Sequence, residues 1–426
     1  MNHSKQLAAG SAAIMLAALF WSLDGLFLRP KFYALSPELV VFWEHLLGLI
    51  ILSPFLFINY YKIKALSFKS WSAIIWISVF GGLIGTLMIT KAFFAAMDGQ
   101  ASFATVIVLQ KLQPFFALFL ARVVLKEKLP GQFYLWTALA IIASYLLVFS
   151  NNLGDFIIDW RNSAAAFAVI AAFAFGSSTV FGKRIANHLD YKAVAALRFL
   201  VTSVLAFVVV VSTGNLAASA NITSTQYSLL ALIVFTSGAG GMFLYYFGLR
   251  RVSASTATIL ELFWPLSALI LDAVFNKNFL SPVQIIAVLL LLGAFYKVSA
   301  LGRMKLATFR GRVIPGAGRG RRIGYRTANL DNTDLDIPHG IYVVDIKVLG
   351  QNYHGLMHFG FRDVYDEPVS LEILVKDFNG DIYGEEMTVS IVRKIRDVKN
   401  FPDTASLVKA IEKDLQELSL AKSARS

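Results

Sequence analysis

"PFFALFLARVVLKEKL", residues 114–129, returns in altered form as "PLSALILDAVFNKNFL", residues 265–280. The two stretches lie 151 positions apart, and seven of their sixteen positions are identical. Each belongs to the fourth of five long apolar segments in its half of the first 300 residues. Because five spans is an odd number, a second copy must lie inverted in a bilayer relative to the first. The repeat therefore predicts two inverted five-helix halves, which is typical of alternating-access transport.

Apolar segments fill the first 300 residues. A helix needs about 20 apolar residues to cross about 30 Å of hydrocarbon. Ten segments qualify, near 9–28, 38–59, 72–94, 101–124, 131–150, 162–182, 192–213, 227–248, 254–275 and 281–300. A soluble alternative would need ten buried helices without polar faces. We therefore expect an all-α transmembrane bundle of ten helices over 1–300, with repeats at about 9–150 and 162–300.

The charge distribution marks a domain boundary and an orientation. Residues 1–300 hold 20 Lys+Arg and 10 Asp+Glu, whereas residues 301–426 hold 19 and 17 in less than half the length. In the first part the positive charges favour one side of the membrane, which the positive-inside rule makes the cytoplasm. That side holds Lys5, Lys62, Lys64, Lys69, Arg122, Lys126, Lys128, Lys183, Arg184, Lys192, Arg250 and Arg251. The other holds Arg29, Lys31, Arg161 and Lys277. Both termini are predicted to be cytoplasmic.

Composition also excludes some kinds of site. The chain contains no cysteine, which excludes disulfides, thiolate metal sites and a cysteine nucleophile. The net charge of +12 divides as +10 and +2 between the two parts, so the basic excess reports membrane topology. We expect no nucleic-acid partner. The expected partners are the lipid bilayer and a small-molecule substrate, with a homodimer left open.

Polar residues inside apolar spans are costly and therefore indicate a transport pathway. Aromatic side chains near them could stack on a flat ligand. The candidate cavity residues are Trp21, Glu44, Lys111, Arg198, Glu261 and Trp264. Pairing across the repeat interface is the alternative interpretation, weighed equally for Glu44 and Arg198. Asp24, Lys91 and Asp272 lie near span ends, where their side chains could simply reach the interface.

The first part resembles the drug/metabolite transporter superfamily, in its EamA-like form. The stretches that carry the resemblance are "LAALFWSLDG" at 16–25, the spans containing Pro114 and Pro265, and "LKEKL" at 125–129. The resemblance implies ten spans in two repeats and transport of a small metabolite. Glu44 departs from it, because that family usually has Arg there, as Arg198 has in the second copy.

Beyond a linker at 301–306 the pattern changes to short alternating runs: "ATFRGRVI", "GIYVVDIKVLG", "YHGLMHFG", "SLEILVKDF" and "MTVSIVRKI". Alternation over such lengths, with turn clusters between, predicts a small antiparallel sheet or barrel. Residues 403–418 have helical spacing, with Asp403 or Thr404 as the N-cap. We expect one all-β domain with a C-terminal helix over 307–420, followed by a disordered tail at 421–426.

A glycine- and arginine-rich loop, "GAGRGRRIGYRTANL" at 316–330, opens this domain. It matches neither the P-loop nor the dinucleotide fingerprint. Glycines let backbone amides approach an anion, and arginines supply positive charge. Thr327 and Asn329 are two apart on an extended segment, so they share a face and offer oxygen ligands for Mg²⁺. The predicted phosphate-binding residues are Gly316, Gly318, Gly320, Arg321, Thr327 and Asn329.

Taken with the motifs after it, the loop resembles the riboflavin kinase (flavokinase) family. The similarity runs through "GIYVV", "LEILVKDFNGDIYG" and "RKIRDVKNF" to "LVKAIEKDL". It implies a six-stranded antiparallel barrel that transfers the ATP γ-phosphoryl group to riboflavin, giving FMN. It also implies that Thr327 and Asn329 hold Mg²⁺ and ATP phosphates, that Glu372 is the catalytic base, and that Arg396 and Phe401 contact the flavin.

Two positions depart from that family. Arg326 replaces a proline, and His358 replaces an asparagine. The leading hypothesis is a membrane transporter fused to a riboflavin kinase, which imports riboflavin and phosphorylates it in the cytoplasm. One alternative is a transporter regulated by a catalytically degenerate flavin-binding domain. The other is a kinase fused to a transporter of a different metabolite.

Overall fold

The computed structural model describes residues 3–100, 103–125, 127, 129–149, 163–276, 281–301, 308–316, 320, 323–333, 335, 337, 339–362, 367–399, 401 and 403–423. Gly318, Arg321 and most of the expected linker 301–306 lie outside these residues. For Asp272 only the backbone is described. The chain forms two compact units, Met1–Arg303 and Met304–Ser426.

The described part of the first unit consists of helices joined by short turns. Its described α-helices are α1 (His3–Leu23), α2 (Pro37–Leu52), α3 (Pro54–Ile58), α4 (Tyr60–Lys64), α5 (Phe68–Trp76), α6 (Gly85–Met97), α7 (Phe103–Gln110), α8 (Gln113–Val124), α9 (Gly131–Phe149), α10 (Ser163–His188), α11 (Tyr191–Ser212), α12 (Ser224–Phe235), α13 (Ala239–Leu249), α14 (Ala254–Leu260), α15 (Phe263–Asn276) and α16 (Pro282–Leu301). Serine or threonine side chains cap several of them: Ser36 accepts from the Leu39 amide at the start of α2.

Within the described residues, nine helical segments are long and apolar enough to cross a membrane. They coincide with nine of the ten predicted spans. The exception is the second span, predicted as one helix over 38–59. It is α2 followed by the short α3 and α4, because Pro54 has no N–H to continue the helical hydrogen-bond ladder. The prediction of an apolar helical bundle is confirmed.

Two spans depart from regular α-helix near their middle or end. The first span continues as a π-helical turn, Asp24–Leu28, and a 3₁₀ turn, Arg29–Phe32. The third span contains a π-helical stretch, Ile77–Ile84, between α5 and α6. Such irregular turns redirect side chains and are frequent at functional sites. Here they place the Asp24 and Arg29 side chains inside the bundle.

Equivalent helices of the two halves pack in opposite directions. On α2 and α11 the Phe42 and Phe207 rings lie 5.7 Å apart, while Gly48 contacts Phe199, so residue numbers run oppositely. The α9 and α16 helices also pack together, and Gln284 near the start of α16 donates to the Leu147 carbonyl near the end of α9 over 3.2 Å. The α1 helix packs on α13 and α15, and its counterpart α10 packs on α6 and α8. Exchanging the halves preserves these contacts, as an inverted repeat requires.

The second unit is a closed antiparallel barrel with a C-terminal helix. Its strands are β1 (Thr308–Ile314), β2 (Ala328–Leu330), β3 (Gly340–Val348), β4 (Gln351–Arg362), β5 (Glu367–Val375) and β6 (Glu386–Arg396), in the order β1-β2-β5-β4-β3-β6. The final helix is α17 (Thr404–Ser423). The predicted six-stranded barrel is confirmed. α17 runs into the segment expected to be disordered from residue 421.

Alternating side chains fill the barrel. The buried set includes Tyr342, Val344, Met357, Phe359, Leu371, Ile373, Met387 and Val389. A smaller apolar cluster, with Val343, Leu356 and Leu418 at its centre, packs α17 against the outside of the barrel. Asp403 begins α17, since its carboxylate accepts a 2.7 Å hydrogen bond from the Ser406 amide. The predicted N-cap at Asp403 is therefore present.

Candidate functional site

A cavity lies among the spans of the first unit. All six predicted cavity residues line it: Trp21, Glu44, Lys111, Arg198, Glu261 and Trp264. Its charged members are almost completely buried, so the side chains face protein and cavity instead of lipid. Buried charge inside a bundle is retained where it is paired or serves transport. The charged groups form three separate arrangements.

Arg29, which the sequence pattern places among the external loop charges, is the centre of the first arrangement. Its guanidinium lies 2.6 Å from the Asp24 carboxylate and 2.9 Å from that of Glu44. It also donates to the Thr90 hydroxyl over 3.1 Å. Glu44 is therefore both paired and cavity-lining. The prediction that Asp24 reaches the membrane interface is wrong, because Asp24 is 5% exposed and ion-paired inside the bundle.

Glu261 and Lys111 belong to the second arrangement. Gln113 donates to one Glu261 oxygen over 2.5 Å, and the Tyr245 hydroxyl donates to the other over 2.8 Å. The Lys111 ammonium lies 4.9 Å from the centre of the Trp264 ring, within cation–π range. The predicted cation, carboxylate and indole thus meet at one wall of the cavity.

Arg198 stands apart from both carboxylate arrangements. Its side chain is 6% exposed, and Nη1 lies 3.2 Å from the Met242 sulfur. Its Nε has no hydrogen-bond partner among the described residues. Lys91, by contrast, lies at the edge of the bundle and pairs with Glu38 at 2.7 Å.

The second unit carries a pocket beside β2 and β5. Asn329 on β2 is the direct partner of Glu372 on β5. The Thr327 hydroxyl donates to the Glu372 carboxylate over 3.2 Å. Residues 412, 415 and 416 of α17 form another wall. The three residues predicted for catalysis and metal binding therefore lie together in one pocket.

Gly316 and Gly320, two described residues of the glycine loop, lie against this pocket. A Cβ at Gly316 would lie 1.9 Å from the Asn329 amide nitrogen, and one at Gly320 would lie 2.3 Å from the Tyr325 carbonyl. Only glycine allows so close an approach of the loop. Hydroxyl, amide and carboxylate oxygens suit Mg²⁺, which takes few protein ligands and completes its shell with water and phosphate oxygens. Thr327, Asn329 and Glu372 fit such an ion and a nucleotide phosphate.

The turn after β5 also lines the pocket. Its contributing residues are Lys376, Asp377, Phe378, Asn379, Gly380, Asp381, Ile382 and Tyr383. The sequence pattern of "DFNGDIYG" predicts only a turn between strands. In the structure Phe378 packs edge-on against Tyr353, with ring centres 5.3 Å apart. The turn therefore supplies pocket-lining residues that the sequence pattern alone predicts only as a connection between strands.

The two departures from the kinase pattern lie next to this pocket. Arg326 is exposed and lines it. His358 on β4 is the direct partner of Glu372, so both side chains leave the sheet on the same face. Neither replaces Thr327, Asn329 or Glu372.

Arg396 and Phe401 lie together, with the guanidinium 5.6 Å from the ring centre. Arg396 also makes a two-pronged ion pair with Asp414 on α17, the shortest distance being 2.7 Å. In the part of the chain that the structure describes, neither residue lines the Glu372 pocket. A flavin contact at this position stays a prediction, and the observed contacts join β6 to α17.

Two family models match the chain. The EamA-like transporter family matches residues 8–149 and 162–300, and the riboflavin kinase (flavokinase) model matches residues 304–421. The two EamA matches coincide with the two halves of the helical unit. The flavokinase match covers the barrel and α17.

Individual relatives agree with this division. The riboflavin transporter ImpX of Fusobacterium nucleatum is 39% identical over 302 residues, covering 70% of this chain and 99% of that protein. Human riboflavin kinase is 36% identical over 117 residues, covering 25% of this chain and 76% of that protein. A crystal structure with a TM-score of 0.56 covers 70% of this chain and 98% of its own; at 16% identity it shows a shared fold alone.

The matches account for both units and for their order along the chain. The chain is a multi-pass membrane protein of the EamA-like transporter family that carries a riboflavin kinase domain at its C-terminal end.

Proposed function

We propose that this protein imports riboflavin and converts it to FMN with ATP on the cytoplasmic side of the membrane. The observation that carries the proposal is the presence, in one chain, of a charged and aromatic cavity among the spans and of the Thr327–Asn329–Glu372 group in the barrel pocket. The similarity of the first unit to a riboflavin transporter supports the choice of solute.

The barrel pocket suits phosphoryl transfer. This reaction depends mainly on alignment and on neutralising the charge of the transferred group. The amides of the glycine loop, Thr327 and Asn329 would hold the phosphates and a Mg²⁺ ion, which screens phosphate charge when bound. Glu372 would accept the proton of the attacking riboflavin hydroxyl, because a carboxylate within hydrogen-bond reach serves as general base.

Phosphorylation would make import one-way. A facilitator alone cannot raise a neutral solute above its external concentration. The phosphate adds a charge of about −1.5 to −2. An unpaired ion costs on the order of tens of kcal/mol to move into hydrocarbon by Born estimates. FMN would therefore stay inside, with ATP hydrolysis driving net uptake.

This sidedness requires the barrel to face the cytoplasm. The excess of Lys and Arg on the side that holds Lys5 and Arg251 supports that orientation. The test is uptake of labelled riboflavin by right-side-out membrane vesicles that contain the full chain and sealed Mg·ATP but no soluble cell kinase, with the internal product identified. We expect label as FMN in the wild type and as riboflavin in Glu372→Gln. Label entering only as riboflavin in both, or not entering at all, contradicts the proposal.

A further inference from the structure

The two halves of the membrane unit place different charges at equivalent positions. In the first two spans of each half the equivalence is an offset of 154 residues. Ser36 and Asp190, related by this offset, cap α2 and α11 through their side chains. Trp21 packs against Gly241, and its counterpart Phe175 packs against Gly85. Sequence offset and packing therefore define the same pairs.

By this offset Asp24 corresponds to Ser178, and Glu44 to Arg198. The third pair is Arg29 and Lys183. At these positions the first half contributes two carboxylates and one guanidinium, which pair in the Arg29 ion cluster with one carboxylate in excess. The second half contributes two cations and no acid at the same three positions. Asp24, Arg29 and Glu44 of the first half and Arg198 of the second line the same cavity.

The Lys183 ammonium finds its hydrogen-bond acceptors within the protein. Its ammonium donates to the Leu249 carbonyl over 2.9 Å and to the Arg250 carbonyl over 3.2 Å. These carbonyls end α13, where the helix dipole favours a cation. The remaining cation of the second half is Arg198, which lines the described cavity while Lys183 does not.

Arg198 lines the cavity, and one of its donors is unused. Within the part of the chain that the structure describes, its Nε has no hydrogen-bond partner, Nη1 meets the weak acceptor sulfur of Met242, and the Tyr246 hydroxyl lies close to the guanidinium. A buried polar group without acceptors is costly, so its donors are expected to be used by something that enters the cavity. The planar fork of a guanidinium suits two oxygens held in one plane.

The neighbours of Arg198 describe the rest of that ligand. Phe199 packs on His45 with ring centres 5.0 Å apart, and both line the cavity. Trp21 and Tyr245 also line the cavity, with their ring centres 5.4 Å apart. Aromatic faces bind flat rings by stacking. The site therefore combines a surface for a planar ring with a fork of donors for oxygens in the plane of that ring.

We propose that Arg198 donates to a carbonyl oxygen of the flavin dione and so decides which solutes the transporter accepts. This rests on the proposed function, since it takes riboflavin as the solute. It adds an orientation: the ring edge lies at the Arg198 end of the cavity, and the ribityl hydroxyls lie toward the carboxylates of Asp24 and Glu44.

The experiment measures initial entry of labelled riboflavin into auxotrophic cells expressing the full chain, against external riboflavin or lumiflavin. Lumiflavin keeps the ring and its dione but has a methyl group in place of the ribityl chain. In Arg198→Gln we expect the half-inhibiting concentrations of both competitors to rise by the same factor, about tenfold or more, as for a lost charge-assisted hydrogen bond. Arg198→Lys should raise both by a smaller, equal factor. Arg122→Gln, at an exposed guanidinium on α8, should change neither.

Three results would overturn the assignment. Inhibition by riboflavin could weaken while that by lumiflavin is unchanged, which would place Arg198 on the ribityl chain. Both competitors could act unchanged on Arg198→Gln, which would leave Arg198 a structural role. Lumiflavin could fail to inhibit the wild type at all, although the dione is present. Absence of riboflavin entry in the wild type is a separate result, which overturns the proposed function together with this one. If Arg198→Gln does not reach the membrane, the equal-factor comparison is made with Arg198→Lys.

Discussion

Asn329 on β2 and Glu372 on β5 are direct partners in the barrel ladder, and Thr327 just before β2 donates to the Glu372 carboxylate. A three-residue strand thereby fixes the end of the glycine loop beside the candidate base. Gly316 lies so close to the Asn329 amide that a Cβ at this position would overlap it.

Replacement of Glu372 by Gln tests its role as the base. We expect kcat for FMN formation to fall by about 10²–10⁴, the usual contribution of general base catalysis, while the KM for Mg·ATP changes little. The measurement is FMN formation by the purified full chain. Glu386→Gln is the control, because Glu386 is an exposed carboxylate on β6 that pairs with Arg310 at 3.3 Å. A Glu372→Gln variant that keeps half of the wild-type rate would rule out the assignment.

Gly316→Ala tests the close approach of the loop. The new methyl group would overlap the Asn329 side chain, so one of the two must move. We expect the KM for Mg·ATP to rise by about tenfold or more, equivalent to roughly 1.4 kcal/mol of lost nucleotide binding. Steady-state kinetics of FMN formation against ATP concentration gives the value. An unchanged KM would mean that Asn329 does not contribute to the nucleotide site.

The Arg396–Asp414 pair is expected to act as one unit in stability. Arg396→Gln and Asp414→Asn should each destabilise the barrel by roughly 2 kcal/mol, since charged hydrogen bonds are lost in a partly buried place. The double variant should cost much less than the sum, which a double-mutant cycle measures by denaturant unfolding. Additive losses would show that the two residues act separately. A large rise in KM for riboflavin in Arg396→Gln alone would favour the flavin contact instead.

The Asp403 cap should make α17 sensitive to acid. The amide of Ser406 donates to its carboxylate and lowers the pKa of Asp403 below the ordinary value. A lowered pKa in the folded state contributes stability above the unfolded pKa, and this is lost as the pH falls through the folded pKa. Hydrogen exchange of peptides covering α17, corrected for intrinsic rates, should show more protection in wild type than in Asp403→Asn at pH 7. The difference should disappear as the pH falls through the folded pKa of Asp403, which lies below the ordinary value of an aspartate. A difference independent of pH would contradict it.

The Arg29 cluster should tolerate loss of all its charges better than loss of the cation alone. Arg29→Met leaves Asp24 and Glu44 buried without a partner, which typically costs about 3–5 kcal/mol. The triple variant with Asp24→Asn and Glu44→Gln removes the unpaired charge. We expect folded yield, measured by size-exclusion chromatography in detergent, to drop in Arg29→Met and recover largely in the triple variant. Equal yields for both variants would show that the cluster does not hold the bundle together.

Much of the membrane unit can be predicted because its signals are local. Apolar length gives the spans, and a shared motif gives the repeat. Glu261 and Arg198 can be recognised as cavity residues because a charge in the middle of an apolar span is too costly to face lipid. The burial of Arg29 cannot be recognised in this way, because Arg29 follows the apolar stretch and has the sequence position of a loop cation. Only the π-helical turn at Asp24–Leu28 brings it inside the bundle.

In the barrel, the long strands are visible in the sequence and the short one is not. β2 has three residues, too few for an alternating pattern to stand out, yet it positions Asn329. The grouping of Thr327 and Asn329 with Glu372 rests on motif resemblance, because 45 residues separate Thr327 from Glu372 and no spacing rule joins them. Pro54 is a sequence signal for the break after α2. The long apolar stretch around it nevertheless leads to the prediction of one continuous helix over 38–59.

Purified protein in liposomes gives the most direct measurement of coupled import and phosphorylation. Labelled riboflavin is supplied outside, Mg·ATP is sealed inside, and internal riboflavin and FMN are quantified over time. We predict internal FMN that rises well above the external flavin concentration, and internal riboflavin that only reaches equality without ATP or in Glu372→Gln. Unmodified riboflavin accumulating above the external concentration, or total internal flavin stopping at equality despite sealed ATP and an active kinase, would contradict it.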